Sequence, residues 1–237
     1  MNLNQQIEQW LRERRENSPV RQRPYVTLAY AQSWDGSITP QAGESYALSG
    51  NQAHQLTHQL RTLHDAILVG VGTILADNPR LTARSWQGPN PRPVVLDTRL
   101  RIPLHAQLFN HPNHEPWLFT THPGKQELAD HAQLFTLPPD EQGYVPLVSV
   151  LETLWKQGIT SLMVEGGARV ITNFLKSKLA DLLILTIAPR IIGGYNATGD
   201  LGRHPIEKLP RLRAMHTAVL GDDQIIWGRL AYQGDEE

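Results

Sequence analysis

The stretch LMVEGGARVITNFL, residues 162–175, joins an apolar run, a carboxylate, two glycines and a helical pattern in direct succession. The apolar run that ends at Glu165 predicts a buried strand, and the periodicity after Gly167 predicts a helix over residues 168–178. Strand, glycine turn and helix together form the unit from which α/β proteins are built. The buried face of this helix would consist of Val170, Ile171, Phe174 and Leu175.

The glycines of this stretch suggest a phosphate site, and the carboxylate before them needs an explanation. Gly166 and Gly167 allow backbone N–H groups to approach a ligand closely, and a helix N-terminus attracts anions. Glu165 could simply cap the helix as an anion, which is common. Alternatively, it faces a second ligand and accepts hydrogen bonds from amino or hydroxyl groups. Two ligands that meet at one strand end would account for both features.

The rest of the chain predicts an α/β fold with a mostly parallel central sheet flanked by helices. Apolar or β-rich runs predict strands at residues 25–31, 66–70, 93–97, 116–121, 161–165 and 182–192. Helical spacing predicts helices over residues 1–16, 50–64, 147–157 and 168–178. Ser49 and Gln52 resemble a capping box before the second helix. The C-terminal segment predicts an antiparallel hairpin that turns at Gly221–Asp223. Its apolar segment QIIWGRLAY would form an edge, and we expect a homodimer that buries this region or the neighbouring long strand.

Composition narrows the class of protein. The 237 residues are 40% hydrophobic, enough for one large domain or two small ones. A formal charge of −1 argues against a protein that coats nucleic acid or anionic membranes, and no apolar run is long enough to span a bilayer. The polar N-terminus lacks a secretory signal, so we expect a cytoplasmic protein. Cysteine is absent, which excludes disulfides, thiol catalysis and thiolate metal sites.

We divide the chain into two parts. Residues 1–23 form an N-terminal helix and linker, which we interpret as an appendage, and residues 24–237 form the main domain.

Polar groups gather after the strand at residues 66–70. In open α/β sheets ligands bind at the carboxyl ends of the strands, so these groups are candidates for a site. The segment GVGTILADNPRLTAR lacks the third glycine of the dinucleotide fingerprint, and a tight turn explains its glycines equally well. It nevertheless supplies Thr73, Asp77, Arg80 and Arg84. Arg84 could form a bidentate contact with a phosphate or carboxylate, or it could be a solvated surface arginine.

Two further sets of residues leave alternatives open. Thr98 and Arg99 follow the strand at 93–97, where an arginine beside a hydroxyl can hold the 2′-phosphate of NADP; the alternative is an ordinary exposed arginine. His54 and His58 are four residues apart on a helix, but no third ligand is evident. We interpret them as part of a solvated face and predict no metal site.

These segments together resemble the riboflavin-biosynthesis reductases, a family with a dihydrofolate-reductase-like fold. The resemblance runs from about Arg23 to Tyr232. The matching stretches are RPYVTLAYAQSWDGSI, LRTLHDAILVGVGTILADNPRLT, RPVVLDTRLRIP, LMVEGGARVITNFL and IAPRIIGG.

The resemblance implies a reductase that uses NADPH to convert a phosphoribosylamino-pyrimidine into its ribitylamino form, and that assembles as a homodimer. Bacterial members are usually fused behind a zinc deaminase. This sequence contains neither H-x-E nor P-C-x-x-C, so it is more similar to the stand-alone reductases. VTLAYAQSWDG and HDAILVGVGTILADNP are most similar to the fungal type, which reduces the diaminopyrimidine before deamination. A paralogous reductase with another small substrate, or a non-catalytic nucleotide-binding protein, remains the alternative.

The resemblance also assigns roles to single residues. Cofactor contacts would come from Ala31, Ala47, Thr73, Asp77 and Thr98, together with the turn Gly167, Ala168, Arg169, Val170, Ile171 and Thr172. Substrate contacts would come from Ser45, Arg61, Leu81, Arg84 and Glu165. Arg61 and Arg84 would both anchor the substrate phosphate, and Glu165 would accept hydrogen bonds from its polar groups. Arg61 lies off the Leu56 and Leu60 face of its helix, so we expect its side chain to be free of the core. Asp77 is the nearest candidate for a general acid, with solvent as its rival. The bacterial fused enzymes carry a lysine where Ala29 stands here, and many carry an aromatic residue where Ala47 stands, so the sequence leaves the choice of pyrimidine open.

Overall fold

The computed structural model describes residues 1–17, 21–124 and 126–234, and in these ranges the chain alternates strands with helices. The helices are α1 (Leu3–Glu16), α2 (Asn51–Thr62), α3 (Val71–Asp77), α4 (Gln126–Ala129), α5 (Leu147–Lys156) and α6 (Ala168–Lys176). The strands are β1 (Tyr25–Ser33), β2 (Ser37–Thr39), β3 (Ala66–Gly70), β4 (Arg92–Leu96), β5 (Trp117–Thr120), β6 (Gln133–Thr136), β7 (Ser161–Gly166), β8 (Leu182–Ala188), β9 (Tyr195–Asn196), β10 (Arg211–Leu220) and β11 (Asp223–Ala231).

One large sheet has the strand order β10-β11-β8-β1-β7-β3-β4-β5-β6. The seven strands from β8 to β6 are parallel, and β11 and β10 add an antiparallel hairpin at one side. The expected mostly parallel sheet with a C-terminal antiparallel hairpin is confirmed. Because the central strands run in the same direction, the segments that follow β1, β3, β4, β7 and β8 all emerge at one edge. We call this edge the carboxyl edge.

Two helical layers cover the sheet. On one face, α5 and α6 enclose Val26, Leu28 and Leu68, which are fully buried. On the other face, α1 and α2 pack over Ile184 and Trp227. This arrangement corrects the view of α1 as an appendage, since its apolar stripe forms part of the core: Ile7 is 0% and Leu11 is 1% exposed. The linker that follows lies partly outside the described residues.

Three local predictions were wrong. The strand predicted over 182–192 ends at Ala188, directly before a proline. No capping box starts α2: the N-cap is Gly50, whose N–H donates to Oδ2 of Asp223 at 2.7 Å. Short elements such as α3 and β6 arise in segments where the sequence predicted only turns or loops.

The strand at the edge of the C-terminal hairpin is not the more hydrophobic one. The apolar segment QIIWGRLAY was interpreted as an exposed edge, but it forms β11, which lies between β8 and β10. The edge strand is β10, where Met215 and Val219 are exposed.

No described helix has the length and apolar character needed to cross a bilayer. Within the same residues, no group of three or more His, Asp or Glu side chains is arranged to hold a metal ion.

Candidate active site

The Gly-Gly turn between β7 and α6 lies in the middle of the carboxyl edge. Gly166 has a φ of +146°, which side chains rarely tolerate, and the Gly166–Gly167 peptide is cis. Gly167 is the N-cap of α6, and no side chain caps this helix. The first backbone N–H groups of α6 are therefore available to an anion. Glu165 is not the cap, so the simpler explanation of its position is wrong.

The ends of β3 and β7 approach each other closely at this turn. A Cβ atom on Gly70 would lie 2.9 Å from Cγ2 of Val170, so only glycine allows β3 to end against α6. A Cβ atom on Gly167 would lie 3.5 Å from Oγ1 of Thr73, which places the Thr73 hydroxyl beside the α6 N-terminus. Two segments predicted to bind the cofactor are thus neighbours in space.

A cavity of about 470 Å³ opens beside the first turns of α6. One wall is formed by helix residues that include Arg169 and Thr172, and the other by the loop Gly194–Asp200. Oγ1 of Thr172 donates to the carbonyl of Ala168 at 2.6 Å and accepts from the N–H of Gly199 at 2.8 Å. The side chain of Thr172 therefore ties the loop to the helix.

Glu165 and Arg61 form a bidentate ion pair at the end of β7. Nε of Arg61 donates to Oε1 at 2.6 Å and Nη2 donates to Oε2 at 2.7 Å. Nη1 of Arg61 donates to the carbonyl oxygen of Thr82 at 2.8 Å. Arg61 is 8% exposed, which contradicts the expectation of a side chain free of the core. Burial would lower the pKa of Arg61, but the charge and hydrogen bonds of Glu165 outweigh it and the pKa is raised.

Beside this pair lies a cluster of positive charge. Arg84 follows Thr82 on the loop after α3, is exposed, and has no ion pair or hydrogen bond to the described part of the chain. Partial burial lowers the pKa of Arg84, and repulsion from Arg61 and Arg80 lowers it further. Arg80 and Arg84 also line a second cavity, of about 650 Å³, together with Trp86. Two guanidinium groups, those of Arg61 and Arg84, thus lie near the carboxylate of Glu165, and Arg80 lies near Arg84. This excess of positive charge favours an anionic ligand.

The histidines of α2 differ from the solvated face predicted for them. His58 is fully buried and His54 is exposed. Their Nε2 atoms are 3.1 Å apart, so one ring donates a hydrogen bond to the other. Both rings lie within electrostatic reach of Arg61 and Arg84.

The remaining candidate residues lie around the same edge without joining this cluster. Ala31 is half-buried in β1, where it pairs with Thr186 of β8. Thr98 accepts hydrogen bonds through its carbonyl from Thr120 and Thr121, and Arg99 is exposed. Asp77 is exposed in the last turn of α3.

Three further candidates lie in loops. Ser45 and Ala47 are exposed in the segment before α2, and the hydroxyl of Ser45 makes no hydrogen bond to the described residues. Leu81 has a φ of +56°, which is uncommon for a residue with a side chain, and it is buried against Val69 and Ile74. Its side chain thus belongs to the core, and the whole residue is only 1% exposed.

The sequence did not reveal that Asp35 organises the loop after β8. Its carboxylate accepts from the N–H groups of Ile192 at 3.0 Å and Gly193 at 2.6 Å, and from the hydroxyl of Ser33 at 2.6 Å. These hydrogen bonds, Ser33 first, hold the pKa of Asp35 well below its usual range. In the sequence, the Asp-Gly pair at residues 35 and 36 predicts only a turn. The segment IIGG, which leads into the cavity loop, is the sequence feature that could have indicated a partner for Asp35.

Comparison with known proteins gives this edge a context. The chain is 33% identical over 216 residues to the riboflavin biosynthesis protein RibD of Aquifex aeolicus, covering 88% of this chain and 58% of the relative. It is 35% identical over 193 residues to the 2,5-diamino-6-ribosylamino-4(3H)-pyrimidinone 5′-phosphate reductase of Candida glabrata, covering 74% and 79%. The chain therefore spans little more than half of the first relative and most of the second.

A solved structure supports the same relationship. The riboflavin biosynthesis reductase Rib7 of Saccharomyces cerevisiae superposes with a TM-score of 0.71 at 29% identity, covering 95% of this chain and 99% of that one. The profile of the family named RibD C-terminal domain matches residues 24–226, from the residue before β1 into β11. By sequence and by fold, the chain belongs to the RibD C-terminal domain family.

Proposed function

We propose that this protein is an NADPH-dependent reductase that converts a phosphoribosylamino-pyrimidine into its ribitylamino form in riboflavin biosynthesis. The observation that carries the proposal is the bidentate Arg61–Glu165 pair. It lies between an uncapped helix N-terminus on one side and unpaired positive charge on the other. A pyridine dinucleotide would need the helix N-terminus and a phosphorylated substrate would need the positive charge, and both features lie at one strand end.

The residues present fit a dinucleotide. The uncapped N-terminus of α6, the Thr73 hydroxyl beside it and the cavity next to Arg169 offer donors for a pyrophosphate. Arg99 is exposed at the end of β4, where it could pair with the 2′-phosphate that distinguishes NADPH from NADH. A bound nicotinamide supplies a hydride. The chain's own residues bind the substrate, orient it and exclude water.

Glu165 can hold the pyrimidine because Arg61 fixes it. Each carboxylate oxygen accepts one hydrogen bond from Arg61 and retains capacity for another, which suits the amino and hydroxyl groups of the substrate. Arg61 is therefore a positioning residue, and Arg84 is the group with charge to spare for the substrate phosphate. Both features differ from the initial assignment, in which Arg61 and Arg84 bound the phosphate equally. Asp77 stays a candidate general acid, with solvent as its rival.

The names of the relatives leave the pyrimidine open, since one is named as a diaminopyrimidinone reductase and the name RibD specifies no substrate. We favour the diamino substrate because VTLAYAQSWDG and the segment around β3 are most similar to the fungal type. A homodimer and a cytoplasmic location belong to the same proposal.

Steady-state NADPH oxidation, measured with the diamino and with the deaminated pyrimidine, tests the function directly. Turnover of one of them is expected. Absence of turnover with both would leave the paralogous reductase or the non-catalytic nucleotide-binding protein as the explanation.

Two substitutions should separate the two ligands. Arg84→Ala removes a charge-assisted contact and should raise the substrate KM by about ten- to hundredfold, while NADPH affinity hardly changes. Arg99→Ala should weaken NADPH more than NADH and leave the substrate KM nearly unchanged. Fluorescence titration of each cofactor beside the kinetics measures both effects. If Arg84→Ala abolished NADPH binding with an unchanged substrate KM, our division of the edge between two ligands would be wrong.

A further inference from the structure

The paired histidines of α2 have no role in the assignments above, yet they adjoin the arginine cluster. His54 and His58 lie one helical turn apart, with ring centroids 4.6 Å apart and an interplanar angle of 75°. His58 is fully buried, while His54 is exposed beyond it. The exposed ring is thus fixed by a hydrogen bond to a ring that cannot move freely.

The hydrogen bond limits which protonation states the pair can adopt. A bond between two Nε2 atoms needs one donor and one acceptor. If His54 is an imidazolium, its Nε2–H donates to the lone pair of neutral His58, and its Nδ1–H remains to donate to a ligand. A second proton on His58 would break this bond. The pair can therefore accept one additional proton, and His54 is the ring that carries it.

The surrounding charges disfavour this proton as long as no anion is bound. Arg61 on the same helix and Arg84 on the neighbouring loop repel it, and Glu165 at the end of β7 attracts it. Burial, then Arg84 and Arg61, lower the pKa of His54 below its ordinary value of 6.5. Burial, then Arg61, His54 and Arg84, lower the pKa of His58 to about 4, and the backbone of Thr82 acts in the opposite direction. Nδ1 of His58 itself has no hydrogen-bond partner.

We propose that His54 is a further contact for the phosphate of the substrate, made in its imidazolium form, and that His58 is the positioning residue that holds its ring. This inference rests on the proposed function, because it takes the arginine cluster to be the phosphate site. A phosphate bears about −1.5 to −2 charges at neutral pH and would reverse the local balance around His54. Binding then raises the pKa of His54 and takes up a proton from solvent.

The sign of the pH dependence follows from this linkage. Because the pKa is higher in the complex than in the free protein, the contribution of His54 to affinity is largest below the free-state pKa. It falls as the pH rises through the pKa of the complex. The substrate KM should therefore increase towards alkaline pH, and kcat should change less, since the phosphate is remote from the carbon that is reduced.

The test combines calorimetry with kinetics. Ribose 5-phosphate is titrated into the whole protein at pH 7 in two buffers of different ionisation enthalpy, which measures proton uptake independently of turnover. We expect uptake in the wild type and a clear reduction in His54→Gln. What remains in this variant is the proton exchange of the phosphate itself, which is a release, because a cationic site favours the dianion. His54→Lys, which keeps a positive charge, should restore affinity without the proton uptake. His131→Gln, an exposed histidine just before β6 at the opposite edge, is the matched control.

The kinetic arm uses the pyrimidine substrate with and without its phosphate. His54→Gln should raise the KM of the phosphorylated substrate about tenfold, with little change in kcat and none for the dephosphorylated form. His58→Gln should change the pH profile of KM in the same direction as His54→Gln does, because the ring of His54 loses the hydrogen-bond partner that holds it.

The outcomes separate the two proposals. If His54→Gln turned over the substrate with the same proton uptake and KM as the wild type, the role of His54 would be refuted and the reductase would stand. The same conclusion would follow if the wild type turned over the substrate but did not bind ribose 5-phosphate. Proton uptake that depends on His54, without turnover of either pyrimidine, would refute the reductase and retain the anion site.

Discussion

At the scale of single residues, burial decides what a charge does. Arg12 and Arg61 each pair with a glutamate, but Arg12 is 66% exposed at its side chain and Arg61 only 10%. Solvent competes for the first pair and not for the second. The first is therefore a surface contact of small energy, whereas the second holds a nearly buried carboxylate in one orientation.

Arg61→Ala should destabilise the fold as well as slow the reaction. The substitution leaves Glu165 without its partner, and the lost pairing should lower the free energy of unfolding by about 3–5 kcal/mol. Arg12→Ala, the exposed counterpart, should cost about 0.5 kcal/mol or less. Chemical denaturation of both variants measures the difference. Equal small losses would show that Arg61 does not hold Glu165 in solution.

His64 should make the protein sensitive to mild acid. Its Nδ1 lies 2.7 Å from the carbonyl of Leu60 and its Nε2 lies 3.0 Å from Oγ1 of Thr27, so both nitrogens are used in the neutral form. Burial, and then Arg15, hold the pKa of His64 well below 6.5. Stability from this group is therefore present above pH 6.5 and is lost as the pH falls below it, by up to about 1.4 kcal/mol per pH unit.

Unfolding curves between pH 7 and pH 5 test this linkage. His64→Gln should be less stable at pH 7 but should lose less stability over this interval than the wild type. Parallel losses in the two proteins would assign the acid sensitivity to other groups.

At the scale of elements, local patterns were sufficient for most of the long strands and helices but not for the short elements or for the tertiary partners. The apolar run and glycines of residues 162–175 predicted β7 and α6 because strand, turn and helix signals are local. The burial of Arg61 could not be predicted in the same way. Its partner is 104 residues away, and the helical spacing placed it off the Leu56 and Leu60 face. Asp35 likewise contacts a loop 157 residues away.

The loop Gly194–Asp200 and α6, the two walls of the cavity, should together bind the cofactor. Thr172→Val keeps the shape of the side chain but removes the acceptor for Gly199 N–H. We expect weaker NADPH binding by about three- to tenfold, from the loss of one hydrogen bond. Thr153→Val is the matched control, because Thr153 makes the same bond to its own helix, at 2.8 Å, on α5. Equal cofactor affinity in both variants would remove the loop from the site.

At the scale of the whole molecule, the sheet ends in an exposed strand that suggests an assembly. β10 pairs only with β11 among the described strands, and it exposes Met215 by 58% and Val219 by 74%. Long edge strands with apolar side chains tend to become covered by another chain. We expect a homodimer that buries β10 or the neighbouring strands.

Light scattering at micromolar concentration tests this assembly. Val219→Glu should shift the protein towards the monomer, and Val148→Glu, an exposed valine on α5, should not. A wild-type protein that is monomeric at this concentration would contradict the expectation.

The contact between α1 and the hairpin also has a consequence for how the chain is made. Trp10 lies edge-on to His216, with ring centroids 6.4 Å apart, and His216 stacks on Trp227 at 5.3 Å. The first helix therefore meets residues that leave the ribosome more than 200 positions later. Until then its apolar stripe has only its nearer partners, such as Leu56 and Leu60 of α2, and the contacts with the hairpin are slow to form because they are distant in sequence. The hairpin must therefore be synthesised before α1 can be buried completely, and a chaperone can bind the remaining exposed part of α1 until then.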